Sequence, residues 1–238
     1  MLYTLQAVQD NIRNRNGKRV FFLSKQDRLT ASAEDYLRSE RIAILPAEEA
    51  KLDRYRLLNG GYVEEKPEHM THLNGDVLVS KLHPRIAFRG AMDTLEAELL
   101  LCQLYCGKHL EKPLGEILNQ ARKLLACEVM DEPCKEEKLW GMTAEEIRSR
   151  SHRPQDYYDA PHFMPQITDG AEILHLNRAR CAVRNAERTA VAAFMDENGC
   201  LTRKDLVKML NRMSSFLYIL MIESKANGNT DTNKASFG

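Results

Sequence analysis

The sequence carries no surplus of either charge: lysine plus arginine and aspartate plus glutamate both number 34. That balance argues against a general nucleic-acid binder or a basic membrane-surface protein, both of which need a positive field. It leaves room for a local cationic pocket. No apolar run approaches the length of a membrane span. Met1 to Arg15 lacks the apolar core and cleavage pattern of a secretory signal. Among the 6 cysteines there is no Cys-x-x-Cys pair, and none precedes Cys102. No His/Cys cluster has zinc-finger spacing, and His69-x-x-His72 alone is a weak metal signal. Most of the cysteines lie among apolar residues, where the thiol behaves as a small hydrophobe. The expectation is a reduced, cytoplasmic protein without disulfides and without structural zinc or iron.

What is present is a soluble composition with a sizeable core, 43% hydrophobic and 29% charged over 238 residues. Residues 1–48 read as a small mixed α/β module. Arg19-Val-Phe-Phe-Leu-Ser24 and Arg41-Ile-Ala-Ile-Leu45 are its strand candidates, and Leu29 to Arg38 its capped helix. Residues 49–80 are polar, with Gly60-Gly61 and Asn74-Gly75 as breakers, and read as a linker and loop. Residues 81–226 read as a helical domain, and 227–238 as a disordered polar tail.

Five helices are expected in that domain. The first runs near 90–108, with Met92, Leu95, Leu99, Cys102 and Cys106 on one stripe. The second opens at Pro113, a favoured first-turn residue, and continues to Val129. The third begins with the capping-box pattern Thr143-Ala-Glu-Glu146 and ends near Ser151. Residues 152–168, rich in tyrosine, histidine and proline, form a loop. The fourth spans about 169–195. The fifth follows Thr202 to Asp205 and runs to about 224, with Leu206, Leu210, Met213, Leu217 and Leu220 at coiled-coil-like spacing. Amphipathic helices joined by short loops make a mainly α bundle.

Three stretches carry chemistry. Arg180, Arg184 and Arg188 recur at i, i+4 and i+8, so on a helix they share a face. Like charges at that spacing repel. The apolar residues around them read as a helix packed on more than one side. A cationic ladder there needs anionic partners, whether carboxylates, a phosphate chain or both. The second stretch, Val79 to Ala97, delivers Ser80, Lys81, Arg85 and Arg89 in a loop that ends at a helix start. Backbone N–H groups and the positive dipole end suit phosphate there. Asp93 would sit in the first helical turn. In the third, Leu210 to Tyr218, Asn211 adjoins the core-facing stripe and must satisfy its amide, within the bundle or on a ligand.

Together these segments resemble the corrinoid adenosyltransferases of the PduO/EutT superfamily. That superfamily shows Val-Ser-Lys-x-x-Pro-Arg, then Gly-x-x-Asp-Glu-Leu-Asn, Ala-Arg-x-x-x-Arg-Arg-Ala-Glu-Arg and Leu-Asn-Arg-Leu-Ser-Asp. Here they stand as Val79-Ser-Lys-Leu-His-Pro-Arg85, Gly90-Ala-Met-Asp-Thr-Leu-Glu96, Ala179-Arg-Cys-Ala-Val-Arg-Asn-Ala-Glu-Arg188 and Leu210-Asn-Arg-Met-Ser-Ser215. The chain most resembles the ethanolamine-utilisation EutT type, whose front module is similar to Leu29 to Arg38.

The resemblance implies a five-helix bundle that transfers the 5′-deoxyadenosyl group of ATP to reduced cobalamin. ATP with Mg²⁺ would bind at a subunit boundary, contacting Ser80, Lys81, Arg85, Arg89, Arg184, Glu187, Arg188 and Asn211. Arg180 would pair with Asp93, and Glu187 would place Mg²⁺ or orient the arginines. His162 and Phe163, in the run His162-Phe-Met-Pro165, would contact cobalamin. The resemblance further implies a reductase partner, a homo-oligomer (trimer or dimer), and association with a bacterial microcompartment; no nucleic acid or membrane partner is expected. Four positions depart from the pattern: Asn185 for arginine, Thr94 for glutamate, Glu96 for asparagine, and Ser215 for aspartate. The Thr-Gly-Asp-x-Gly-Thr nucleotide loop is absent, with Asn74-Gly-Asp76 a faint echo. These departures keep open a non-catalytic cobalamin-binding chaperone or a helical adaptor.

Overall fold

The computed structural model describes residues 1–15, 18–50 and 55–235; the side chains of residues 14, 15, 50 and 227–235 also lie outside the description. The chain divides into two compact units, Met1–Lys81 and Leu82–Gly238.

In chain order the first unit holds β1 (Leu2–Tyr3), α1 (Leu5–Asp10), β2 (Arg13–Arg15), β3 (Lys18–Leu23), β4 (Arg28–Leu29), α2 (Ala31–Ser39), β5 (Ala43–Pro46) and α3 (Ala47–Ala50). It continues with β6 (Tyr55–Leu57), β7 (Tyr62–Val63), β8 (Met70–Asn74) and β9 (Val77–Ser80). The expected strands β3 and β5 pair in parallel, Val20 with Ala43 through Leu23 with Pro46. A parallel pair needs a crossover, and α2 supplies it. Val8, Phe21, Ala33, Leu37 and Ile42 form the small core beneath.

The stretch read as a linker is a finding against that reading. Residues 55–80 of it fold into a four-stranded sheet in the order β7-β6-β9-β8. Asn74-Gly75 is the turn of a hairpin rather than a breaker: Gly75 takes φ 54 between β8 and β9. Positive φ is the reason this dipeptide marks hairpins. Leu73, Val77, Leu78 and Val79 are buried on this sheet.

The second unit is helical: α4 (Pro84–Tyr105), α5 (Glu111–Val129), α6 (Ala144–His152), α7 (Pro154–Tyr158), α8 (Gly170–Phe194) and α9 (Lys204–Ala235). Among the described residues no helix is long and apolar enough to cross a membrane. The five expected helices are present, with α7 as one extra turn inside the expected loop. α4 starts earlier than expected because Pro84 is its first residue and His83 caps it, Nδ1 accepting the Arg85 N–H at 3.2 Å. Arg85 and Arg89 are therefore helical, not loop, residues. The capping box on α6 forms as read: Glu146 N–H donates to Thr143 Oγ1 at 3.2 Å, and Thr143 N–H donates to Glu146 Oε2 at 2.7 Å. The tail expected to be disordered from Asn227 continues as backbone helix to Ala235, and residues 236–238 lie outside the description.

α4 and α8 run antiparallel. Phe88 meets Phe194 (ring centroids 5.8 Å apart), Glu98 meets Arg178 (2.7 Å), and Tyr105 stacks on His175 (4.6 Å). α8 buries Ile173, Leu176, Ala179, Val183, Ala186, Ala190 and Phe194 at spacings of three and four. The small residues on that stripe let the neighbouring helices approach closely. α9 buries the expected leucine and methionine stripe and also Phe216, Ile219 and Met221. α8 is nevertheless packed on one stripe, not all round. Arg184 and Arg188 are exposed and Arg180 is half-buried, because they fall one position out of phase with Ala179 and Val183.

Candidate functional site

A cleft of about 800 Å³ opens in the helical unit, and four segments wall it. α8 contributes Asn177, Arg180, Cys181 and Arg184; α9 contributes Asn211, Ser214, Ser215, Tyr218 and Met221. The loop after α7 brings His162, Phe163, Met164 and Pro165, and the end of α6 brings Ser151 and His152. Helical phase explains the selection. Asn177, Arg180, Cys181 and Arg184 lie at i, i+3, i+4 and i+7, and Asn211, Ser214, Ser215 and Tyr218 repeat the same spacing on α9.

The α8 wall is cationic. Arg180 Nη1 reaches Asn177 Oδ1 only at 3.5 Å, and its guanidinium lies 5.3 Å from the centre of the Tyr218 ring. That geometry is a cation–π contact. Among the described residues neither Arg180 nor Arg184 is ion-paired with a carboxylate, so the potential of both faces the cleft. The pair suits an anionic group that accepts several hydrogen bonds, such as a phosphate chain.

The opposite wall is aromatic and fixed by hydrogen bonds. Phe163 N–H donates to the Tyr218 hydroxyl at 3.1 Å, and His162 Nδ1 lies 3.2 Å from the same oxygen. His162 Nε2 lies 3.2 Å from the His152 carbonyl. Lys225 Nζ, paired with Asp169 at 2.7 Å, sits 4.2 Å from the Phe163 ring centre. Asp169 is held below the usual carboxylate range, first by the Lys225 hydrogen bond and then by the Gln166 N–H.

Asn211 is satisfied within the bundle as well as facing the cleft. Its amide nitrogen donates to Glu187 Oε1 at 2.9 Å, and its oxygen accepts from Arg212 Nη1 at 2.6 Å. Glu187 thus orients Asn211 rather than the arginines.

The cleft gathers His162, Phe163, Arg180, Arg184 and Asn211, but not the other candidates. Arg85 and Arg89, expected in a triphosphate-binding loop, do not line the cleft and are taken up elsewhere. Arg85 Nε donates to Glu128 Oε1 at 2.5 Å and its Nη2 to the Glu128 carbonyl at 2.9 Å, while Arg89 Nε donates to Glu128 Oε2 at 2.6 Å. Glu128 is fully buried near the end of α5, and a buried carboxylate requires such pairing. The expected Asp93–Arg180 pair does not form within the chain. Asp93 is exposed on α4, and the three α4–α8 contacts put it level with about residues 183 to 189, roughly one to two and a half turns along α8 from Arg180. Arg178 and Glu98 tie the two helices instead. Arg188 is exposed and lies outside the cleft. Ser80 closes β9 in the first unit, and Lys81 follows with its N–H donated to the His69 carbonyl at 2.9 Å; both side chains are exposed. Sequence reasoning missed Tyr218, Asn177 and the His152 carbonyl. Tyr218 was within reach, seven residues after Asn211 and hence on the same helical face.

The sequence profile of the family described as cobalamin adenosyltransferase matches residues 61–224. The chain is 32% identical over 164 residues to the corrinoid adenosyltransferase EutT of Salmonella typhimurium, covering 69% of this chain and 61% of that protein. It is 30% identical over 162 residues to EutT of Escherichia coli K12, covering 68% and 61%. It thus spans about 61% of the length of these curated relatives. A PduO-type ATP:corrinoid adenosyltransferase of Lactobacillus reuteri, solved with cobalamin and ATP, aligns with a TM-score of 0.46 at 15% identity, covering 78% of this chain and 93% of that one. With the profile matching well over half of its length, the chain belongs to the cobalamin adenosyltransferase family.

Proposed function

We propose that the protein is an ATP:cob(I)alamin adenosyltransferase, as its relatives named corrinoid adenosyltransferase EutT are, and that it serves ethanolamine utilisation. The observation that carries the reading is the two-sided cleft: an unpaired arginine face on α8 opposite an aromatic, histidine-bearing loop. The triphosphate lies along Arg180 and Arg184, with Asn211 on the nucleotide, and the corrinoid lies against His162 and Phe163. The cobalt(I) lone pair attacks the adenosine 5′ carbon; the new Co–C bond forms as the C–O bond breaks, and the electron pair leaves with the triphosphate. The arginines hold the leaving group where its charge grows, and the cleft supplies the alignment. The corrinoid supplies the nucleophile.

Mg²⁺ arrives with ATP, and a reductase supplies the cobalt(I) state. Ser80 and Lys81 belong to the proposed nucleotide site through the family motif alone. Leu100, Leu101 and Leu104 leave an exposed apolar flank on α4, C-terminal to Asp93, with Leu104 at 72% exposure, which supports a homo-oligomer closing over α4. Asp93 would then meet a cation of a second copy. The proposal places the protein in the cytoplasm beside a microcompartment, as the EutT resemblance implies.

The test is anaerobic mixing with ATP, Mg²⁺ and chemically reduced cobalamin, followed by the visible spectrum of the cobalt–carbon bond. Formation at catalytic protein concentration is expected. Corrinoid binding without bond formation would favour a chaperone, the reading that Ser215 in the cleft wall, in place of the family aspartate, keeps in view.

A further inference from the structure

Tyr218 is in contact with both walls of the cleft. It stands on α9, two turns beyond Asn211, and is half-buried. Its hydroxyl accepts the Phe163 N–H at 3.1 Å and lies 3.4 Å from the Phe163 carbonyl and 3.2 Å from His162 Nδ1. His162 Nε2 faces the His152 carbonyl, which can only accept. A neutral His162 therefore carries its proton on Nε2, and the single Tyr218 hydroxyl proton is shared between His162 Nδ1 and the Phe163 carbonyl. The Tyr218 ring is nearly parallel to the His162 ring, at 11° and 5.8 Å, and to the Phe163 ring, at 25° and 6.0 Å. Arg180 lies 5.3 Å from the centre of the same ring.

The surroundings explain why such a tether is needed. Residues 160–166 have neither helical nor strand structure, and Pro161 and Pro165 donate no backbone hydrogen bond. A loop of that kind is ordered by side chains from the scaffold beneath it, and α9 is that scaffold. An aromatic residue that merely filled the core would not place its hydroxyl among three polar atoms of one loop while carrying a cation on its ring.

We propose that Tyr218 is a positioning residue that sets both halves of the cleft at once. Its hydroxyl holds the loop that bears His162 and Phe163, and its ring holds the Arg180 guanidinium. Corrinoid and nucleotide binding are thereby coupled through one side chain. This rests on the function proposed above and adds to it a cooperativity between the two substrates, reciprocal in sign and size.

Two variants separate the two contacts. Tyr218→Phe removes the hydroxyl and keeps the ring; Tyr218→Leu removes both. For each, the KM of ATP and that of the corrinoid are measured, together with the Kd of each ligand at zero and saturating levels of the other. Thermal melting serves as the folding control. For Tyr218→Phe the corrinoid KM is expected to rise about fivefold or more, the scale of one lost hydrogen bond, with the ATP KM within about twofold of the parent. For Tyr218→Leu both rise, and each ligand ceases to improve the other. If Tyr218→Leu fails to fold, the split in Tyr218→Phe decides alone. An active parent whose Tyr218→Phe variant keeps both KM values, or shifts both equally, overturns the inference and leaves the function standing. A folded parent that transfers no adenosyl group overturns the function and the coupling with it.

Discussion

Two pairs of arginines, each spaced four residues apart on a helix, meet opposite fates. Arg85 and Arg89 close on Glu128, whose carboxylate is fully buried. Arg180 and Arg184 face a cleft, and among the described residues no carboxylate pairs with either. Charge and spacing are the same in both cases. What differs is the residue across the interface. The first pair is a structural clamp between the start of α4 and the end of α5; the second is a cationic face on the cleft. Arginine spacing alone therefore does not distinguish a ligand-binding face from a buried ion cluster.

The largest effect is expected where the clamp is broken. Glu128→Ala leaves two poorly solvated guanidinium groups without a partner and should destabilise the fold by about 3–5 kcal/mol. Denaturant titration measures it. A loss under about 1 kcal/mol would mean that water already solvates the pair, and the contrast with α8 would dissolve.

Next comes the open pair. Arg184→Ala should lower turnover by about a hundredfold or more, the scale of a lost transition-state donor, with an unchanged melting temperature. Activity within threefold of the parent at saturating ATP would remove Arg184 from the site. Opposite signatures, stability for Glu128 and turnover for Arg184, are what the comparison demands.

A smaller effect tests the helix register. In a dilute, dissociated chain, Asp93→Asn and Arg180→Met should add within about 0.5 kcal/mol, because the two residues do not touch. A coupling above about 1 kcal/mol that appears only as protein concentration rises would place the contact between two copies. The same coupling in the dissociated chain would contradict the register.

The smallest concerns Glu223, on α9. Burial is the main cause that pushes its carboxyl above the usual range, against the pull of Arg150 and Tyr158. Between its unfolded and folded pKa the native state binds the extra proton, so stability falls as pH rises through that window. Glu223→Gln should remove this slope and gain stability at neutral pH relative to pH 4. A steeper loss with pH in the variant would reverse the assignment.

Much of the bundle was legible without coordinates because its signals are local. Thr143 and Glu146 specify a cap within four residues, and the stripe Leu206, Leu210, Met213, Leu217 and Leu220 repeats with the helical period. Pro84 was legible too, yet was assigned to a loop; its place as a first helical residue moves Arg85 and Arg89 into α4. The short strands of residues 55–80 were missed because two- to five-residue strands offer too little alternation to outweigh their polar neighbours.

By itself the sequence determined which residues share a helical face, and hence that Arg180 and Arg184 project together with Asn177, and that Asn211 projects with Tyr218. It also determined the family, whose profile matches residues 61–224. Only the tertiary structure decided what stands opposite each face. Glu128 reaches Arg85 and Arg89 across 43 and 39 residues of chain, and Tyr218 reaches Phe163 across 55. Local periodicity fixes direction around a helix axis, whereas partnership depends on how the helices pack, and that is set by the sum of all the buried side chains rather than by any one segment.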